Sequence, residues 1–277
     1  MFQKVKSPMV NMGDVQLRQP IPQGTIQQIG PFLLLHHAGP FEVEPGQNPM
    51  DIGPHPHRGF DPVTFVFQGS VFHRDSLGNE QTVSAGGVQW MQAGTGIIHA
   101  EGPDKKFIQE GGTLEIIQLW INAPASRKLS AAAYMPVAAI DMPEITNGIH
   151  NLNLVSGNWQ NVKGPIQNPE NVLAIMGTFN ANQEWKWEST SGRERLIYLL
   201  DGEISIGEEL VSGPILLHIK QSKIQLKATK KTKALILEGA TIQEPVASYG
   251  PFVMNKQSEL MDAIKDYQEG KMGVLEP

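Results

Sequence analysis

The chain has 277 residues, of which 40% are hydrophobic, so it can bury the core of one large domain or of two ordinary ones. Its formal net charge of −6 offers no overall positive field to a phosphate backbone, which argues against direct nucleic-acid binding. Because the sequence contains no cysteine, disulfides, thiolate metal sites and cysteine nucleophiles are excluded. We find no signal-peptide core and no apolar run near the ~18 residues of a membrane span, so we expect a cytoplasmic protein.

Short apolar runs between turn residues predict a β-rich chain. The 28 glycines and 20 prolines are spread along the sequence, and the apolar runs between them have the length of strands. In chain order these runs are residues 30–41, 61–79, 113–122, 194–207 and 233–242. This pattern favours an all-β barrel or sandwich. Apolar residues at helical spacing followed by Gly270 predict one amphipathic helix over residues 256–269.

The sequence also contains an internal repeat. VTFVFQG at 63–69 matches LIYLLDG at 196–202, and both copies read as a strand, a tight turn and a second strand. GGVQWMQAG at 86–94 matches SGPILLHIK at 212–220 in the same order. The repeat predicts a duplicated β-barrel.

An Ala/Pro-rich stretch at 123–145 is the predicted join between the two copies. We therefore expect an N-terminal domain over residues 1–135 and a C-terminal domain over residues 136–277. The predicted helix at 256–269 falls in the second of these ranges.

Two pairs of potential metal ligands share one spacing. His55 and His57 lie in GPHPHRGFDP, and His99 and Glu101 lie in GIIHAEGP. Alternate residues of a strand project to the same face, so on neighbouring strands of a small barrel the pairs would converge into three imidazoles and one carboxylate. These ligands suit Fe(II), Mn(II), Ni(II) or Cu(II) as well as Zn(II). Zinc more often takes a closed tetrahedral site, so iron is favoured only where the site is open.

Three motifs in this order resemble the pirin family of bicupins: HPHRGF at 55–60, GVQWMQAGTGIIHAE at 87–101 and GPFVMN at 250–255. The resemblance implies an all-β fold of two stacked cupin barrels of the jelly-roll type with a short C-terminal α-helix. It also implies one divalent metal ion per chain, Fe(II) first, in the N-terminal barrel. The ligands it implies are His55, His57, His99 and Glu101.

The chain departs from the general cupin pattern at Asp61, where the first motif usually has Glu. Because pirins take their carboxylate ligand from the second motif, we expect Asp61 to be structural or to lie beside the ligands. His73 could line the mouth of the pocket or be an ordinary strand histidine, and one of His36 and His37 must point inward. Arg58 should point away from the ligands and form an ion pair on the surface or at an interface.

The repeat predicts the contents of the second barrel by position. It places Glu188 and Thr190 opposite His55 and His57, and Gln225 and Lys227 opposite His99 and Glu101. A lysine ammonium is not a ligand and repels a cation, so we expect the C-terminal barrel to hold no metal.

The resemblance implies two classes of function. Bacterial pirins are associated with quercetin 2,3-dioxygenase activity, which implies an iron-dependent enzyme that uses O2 to cleave a flavonol-like polyphenol, with Glu101 as the base that takes up a substrate proton. Animal members are associated with nuclear coregulation, which implies an iron-containing, redox-sensing protein that modulates a protein partner without turnover. A third alternative is a site retained only for barrel stability.

Overall fold

The computed structural model describes residues 2–189 and 192–276, which form two compact units. The N-terminal barrel comprises Asn11–Leu17, Pro31–Ala139 and Ile242–Pro277. The C-terminal barrel comprises Met1–Val10, Arg18–Gly30 and Ile140–Thr241. The change from one unit to the other in mid-chain falls at residues 139 and 140, inside the Ala/Pro-rich stretch at 123–145.

Strands make up most of both units, as predicted. The first half of the chain contains β1 (Phe2–Val5), β2 (Met9–Met12), β3 (Val15–Ile21), β4 (Phe32–Val43), β5 (Ile52–His57), β6 (Phe60–Gln68), β7 (Ser70–Asp75), β8 (Glu80–Ser84), β9 (Val88–Gln92), β10 (Ile97–Pro103), helix α1 (Lys105–Glu110), β11 (Gly112–Asn122), β12 (Ala133–Val137) and a 3-10 turn (Ala139–Asp141). The second half contains β13 (Asn151–Ser156), β14 (Asn158–Trp159), β15 (Val162–Lys163), β16 (Leu173–Phe179), β17 (Glu184–Glu188), β18 (Arg193–Leu199), β19 (Glu203–Ile206), β20 (Glu209–Ser212), β21 (Ile215–Ile219), β22 (Lys223–Ala228), β23 (Thr232–Ala240), β24 (Ala247–Tyr249), β25 (Phe252–Met254) and helix α2 (Gln257–Gln268). Neither helix is long and apolar enough to cross a membrane.

The two barrels repeat one strand order. In the N-terminal barrel one sheet has the order β5-β10-β7-β8, and a second sheet has β9-β6-β11-β4 as neighbours. In the C-terminal barrel the corresponding orders are β17-β22-β19-β20 and β21-β18-β23-β16. Strand β5 therefore corresponds to β17 and β10 to β22. The predicted all-β fold with cupin-type barrels and a C-terminal helix is confirmed, and the sequence repeat reflects a structural duplication.

The strand register corrects the alignment of the second barrel. Glu188, Gln225 and Lys227, which the repeat placed opposite metal ligands, are exposed, and Thr190 lies outside the described residues. The interior positions of β17 and β22 are apolar and belong to the core of the C-terminal barrel: Trp185, Trp187, Ile224 and Leu226. A shift of one residue along a strand exchanges its two faces, and this is the error in the sequence alignment.

The C-terminal segment packs within the N-terminal barrel unit. Helix α2 buries Leu260 and Ala263 against Phe252 and Met254 of β25 and against Ile98 of β10. The helix itself was predicted, but its assignment to the domain over 136–277 differs from the structure, because the helix shares its apolar core with the N-terminal barrel.

Hydrogen bonds fasten β25 to the first metal-site motif. The ammonium group of Lys128 is buried and donates to the carbonyls of Gly59 and Val253, at 2.8 and 3.0 Å, and to Asn122 Oδ1 at 2.6 Å. Gly59 has a φ of +86°, and a Cβ there would lie 2.1 Å from the Val253 carbonyl oxygen. Only glycine permits this close approach.

We predict that Lys128→Met destabilises the protein. The substitution leaves three buried acceptors without a donor, which should cost about 3 kcal/mol of unfolding free energy. Thermal unfolding followed by circular dichroism measures the change, and Lys105→Met, at an exposed lysine of α1, is the matched control. Equal melting temperatures for the two variants would contradict a stabilising role for Lys128.

Candidate metal centre

Strands β5 and β10 bring three of the four predicted ligands together. The strands are antiparallel, with His99 opposite His55 and Ile97 opposite His57. The ring centroid of His99 lies 4.3 Å from that of His55 and 5.0 Å from that of His57. The centroids of His55 and His57 are 4.8 Å apart. One ring nitrogen from each histidine lies within 4.8 Å of the other two. The alternation within each strand and the ladder between them therefore produce the cluster.

The surrounding acceptors fix the tautomer of the first two histidines. His55 Nδ1 lies 2.8 Å from the Gly53 carbonyl oxygen, and His57 Nδ1 lies 3.4 Å from the Pro251 carbonyl oxygen. A carbonyl only accepts hydrogen bonds, so in both rings Nδ1 carries the proton and donates. The lone pair of each ring is therefore on Nε2.

His99 reaches the same tautomer through two further side chains. Asp75 Oδ2 lies 2.9 Å from His73 Nε2, so that nitrogen donates, and His73 Nδ1 is left to accept from His99 Nδ1 at 3.4 Å. Burial alone would raise the pKa of Asp75, but hydrogen bonds from His73 and Asn79 hold it below its ordinary value. The ionised Asp75 thus orients His73, and His73 orients His99 with its Nε2 lone pair free.

The Nε2 atoms of the cluster have the environment that a cation requires. His55 Nε2 and His57 Nε2 face each other at 3.1 Å, and His99 Nε2 is buried without a hydrogen-bond partner. Burial and then the neighbouring His55 lower the pKa of His57 to about 3, and burial followed by repulsion from His57 lowers that of His99 well below its ordinary value. At neutral pH the His57 and His99 rings are neutral, and their lone pairs converge with Nε2 of His55 on a point that a divalent metal ion fits.

Glu101 lies beside the three histidines but is not part of their close group. The ladder between β5 and β10 shifts register after His99, and the buried Glu101 carboxylate turns toward Thr64 and Gln118. Gln118 Nε2 donates to Oε1 at 3.0 Å and Thr64 Oγ1 donates to Oε2 at 3.2 Å. The structure therefore holds Glu101 by both oxygens next to the cluster, and its role as a ligand stays a prediction.

Glu101 lines cavities of different size, one of about 250 Å³ that Gly53 and Pro54 also line, and a much smaller one on the side of the histidines. His73, His99, Glu101 and Tyr134 are among the residues that line a cavity of about 10 Å³, which is room for one water molecule. The Tyr134 ring stacks on His73 with centroids 3.9 Å apart. His55 is only partly buried, so the cluster meets the surface on the side of that ring.

Asp61 is structural, one of the two roles expected for it. Its buried carboxylate accepts from Trp90 Nε1 at 3.1 Å and pairs with Arg127 at 3.0 Å. The predicted ion pair of Arg58 is present, with Asp266 of α2 at 2.9 Å, although Arg58 is buried and not on the surface.

His36 and His37 are consecutive residues of β4 and lie on opposite faces of the strand, as expected. His36 lines a second small cavity with Glu101 and Gln118, and burial lowers its pKa to about 4. His37 lies 3.2 Å from Glu115. His73 was predicted to line the pocket or to be an ordinary strand residue, and its contact with His99 was missed. The signal was present, because His73 and Asp75 have the same spacing as the two ligand pairs.

Comparison with known families assigns most of the chain. A model of the family Pirin matches residues 14–121, and a model of the Pirin C-terminal cupin domain matches residues 175–273. The chain belongs to the pirin family. The resemblance noted from the sequence motifs is therefore confirmed.

Relatives and solved structures of this pirin-family chain agree with that assignment. A Pseudomonas aeruginosa protein named "Putative quercetin 2,3-dioxygenase" is 34% identical over 88% of this chain and 87% of its own, and a "Pirin-like protein" of Solanum lycopersicum is 31% identical over 98% and 91%. The crystal structure of a quercetin 2,3-dioxygenase from Acinetobacter baumannii has a TM-score of 0.91 at 31% identity and covers 99% of this chain and 98% of that one. A bacterial pirin from Escherichia coli in complex with nickel(II) shares the fold at 20% identity, with a TM-score of 0.69 and coverage of 87% and 100%.

We predict that His73→Phe weakens metal binding. The phenyl ring can keep the stack on Tyr134, but the acceptor that orients His99 is lost, so the affinity should fall about ten- to a hundredfold. Competition of the purified protein against a chromophoric chelator measures the affinity. Tyr134→Phe is the matched control, because it keeps the stacked pair and removes only a hydrogen bond to Gln89. Equal affinities for the two variants would exclude the orienting role of His73.

Proposed function

We propose that this pirin is a metal-dependent dioxygenase that uses O2 to cleave a flavonol-like polyphenol such as quercetin. The observation that carries the proposal is the convergence of three Nε2 lone pairs on one point with the Glu101 carboxylate beside it. The activities named for relatives at 31–34% identity support the same reaction class.

His55, His57 and His99 would hold the metal, with Glu101 as the fourth group. A bound divalent metal would act as a Lewis acid toward the substrate hydroxyl and as a partner for oxygen chemistry. Fe(II) is our first choice, and the neutral imidazoles suit Mn, Ni, Cu and Zn as well. We place the protein in the cytoplasm.

Glu101 would act as the base that takes up the proton of the substrate hydroxyl. Thr64 and Gln118 donate to its two oxygens and hold the carboxylate in one orientation. A base held in this way loses little entropy when the substrate arrives, which favours proton transfer. His73 keeps the neighbouring His99 ring fixed during the same step.

The cavity of about 10 Å³ favours a second candidate function. A flavonol is far larger than one water molecule, so turnover requires that the walls of this cavity open or that the substrate reaches Glu101 from the cavity of about 250 Å³ that Glu101 also lines. A protein that only senses the redox state of its iron needs no such opening. The second candidate is therefore an iron-containing binding protein that modulates a protein partner without turnover.

The first candidate predicts oxygen consumption. Protein loaded with Fe(II) should consume about one O2 per flavonol cleaved and release one carbon monoxide, because 2,3-cleavage expels one ring carbon. An oxygen electrode and a haem-based carbon monoxide assay measure the two gases. A sensor without turnover would change its absorption spectrum and then stop consuming oxygen.

The control for this experiment is the double variant His55→Ala, His57→Ala at equal added metal. Flavonols oxidise slowly by themselves and chelate free iron, so only the excess over this variant counts as enzymatic. If the variant matches the natural protein across several flavonols, the dioxygenase is excluded in favour of the binding protein.

We further predict that Glu101→Gln separates metal binding from turnover. The amide keeps the size of the side chain and three imidazoles remain, so elemental analysis should still find close to one metal per chain. Without a proton acceptor, the turnover rate should fall about a hundredfold or more. Gln118→Met is a useful comparison, because it keeps the Glu101 carboxylate and removes the amide that donates to it. Loss of metal in parallel with activity would show that Glu101 serves as a ligand only.

A further inference from the structure

A cavity of about 830 Å³ opens in the C-terminal barrel. Its lining comes from β14 and the turn after it, from the neighbouring strands β17 and β22, and from the ends of β16, β18 and β23. Small-molecule sites in proteins have volumes of roughly 300–1,000 Å³, so this cavity has the size of a ligand site. It is far larger than the space beside the histidines of the other barrel.

Tryptophan side chains form the apolar wall of this cavity. Trp159 is partly exposed, and its ring stacks on Trp185 with centroids 5.4 Å apart and planes 13° apart. Trp187 forms the inner end of the wall, and the guanidinium of Arg195 lies 5.0 Å from its ring centroid. The Trp159 ring is therefore supported from behind and can stack a flat ring on its open face.

The charged side chains that line the cavity carry an excess of positive charge. Glu188 is paired with Lys223 at 2.8 Å, and Glu238 is paired with Arg193 at 2.6 Å. Among the residues that the structure describes, Lys186 has no hydrogen-bond or ion-pair partner. Both acidic side chains of the lining are thus already neutralised, and one ammonium is free to meet an anion.

Two arginines of β18 add to this excess: Arg193, which is partly buried and lines the cavity, and Arg195, which is buried. Arg193 and Arg195 are alternate residues of β18 and share the face of Ile197, which belongs to the core. Glu238, the ion-pair partner of Arg193, lies directly opposite Arg195 in the ladder with β23, and its charge also acts on Arg195. A buried positive charge without its own counter-ion is costly, and an anion in the cavity would reduce that cost.

We propose that the C-terminal barrel binds a planar aromatic carboxylate in this cavity, with the ring on Trp159 and the carboxylate toward Lys186 and Arg193. A flat ring matches the tryptophan wall, and a carboxylate matches the ammonium and guanidinium donors. The two barrels share one strand order, but the N-terminal barrel would bind a metal ion and the C-terminal barrel an aromatic carboxylate. The site is independent of the metal and of the proposed reaction.

Binding of 1-naphthoate to the full chain, measured by isothermal titration calorimetry, tests this proposal. The neutral 1-naphthamide should bind about tenfold more weakly, because it has nearly the same shape as 1-naphthoate but carries no negative charge. Trp159→Leu and Lys186→Gln should each weaken naphthoate binding about three- to tenfold. Lys227→Gln is the matched control, since this exposed lysine lies on the neighbouring strand outside the cavity lining, and it should leave the affinity unchanged.

Several results would overturn the proposal. Equal affinity for the acid and the amide would exclude an anion site, and displacement of naphthoate by equimolar inorganic phosphate or acetate would exclude the aromatic class. A Trp159→Leu variant that binds as tightly as the natural chain would remove the stacking wall from the site. If Trp159→Leu melts at a lower temperature, the Lys186→Gln and Lys227→Gln pair decides alone, because both positions are exposed.

Discussion

Neutral imidazoles that turn their lone pairs toward one point repel one another unless a cation lies between them, and this constraint organises the N-terminal barrel. The ladder of β5 and β10 brings the three rings together, and each ring is then held with its Nδ1 proton pointing away from the centre. Without those three acceptors, the rings could rotate or exchange tautomers and relieve the repulsion. The acceptors are therefore as much a part of the site as the nitrogens that face the centre.

Residues far along the chain help to hold the three histidines in place. The Pro251 carbonyl accepts a hydrogen bond from His57. The backbone of Arg58 pairs with β25, the strand that follows Pro251. Lys128 then ties the same strand to the Gly59 carbonyl. The motif GPFVMN thus contributes structure to the metal site, and this explains why the C-terminal segment packs with the N-terminal barrel unit.

The sequence predicted the strands and the ligand pairs because both follow from a period of two residues. HPH and HAE each place two side chains on one face, whichever strand lies next to them. His73 and Asp75 have the same spacing, but the residues around them do not indicate that β7 pairs with β10, so their role beside His99 was not predicted. The alignment of the second barrel failed for the opposite reason, since Lys227 is in the right strand but on its outer face. Pairing partners and register depend on contacts between distant segments, which a single sequence does not specify.

Burial has opposite consequences for metal binding and for turnover at this site. It keeps His57 and His99 neutral at neutral pH, so their lone pairs are available to a metal without loss of a proton. It also leaves only about 10 Å³ in the cavity that Glu101 shares with His73 and His99. Tyr134 links these two effects, because its side chain lines this cavity and its ring stacks on His73. Displacement of the Tyr134 ring would loosen the group that orients His99, so the size of this cavity and the geometry of the candidate metal ligands are coupled in this barrel.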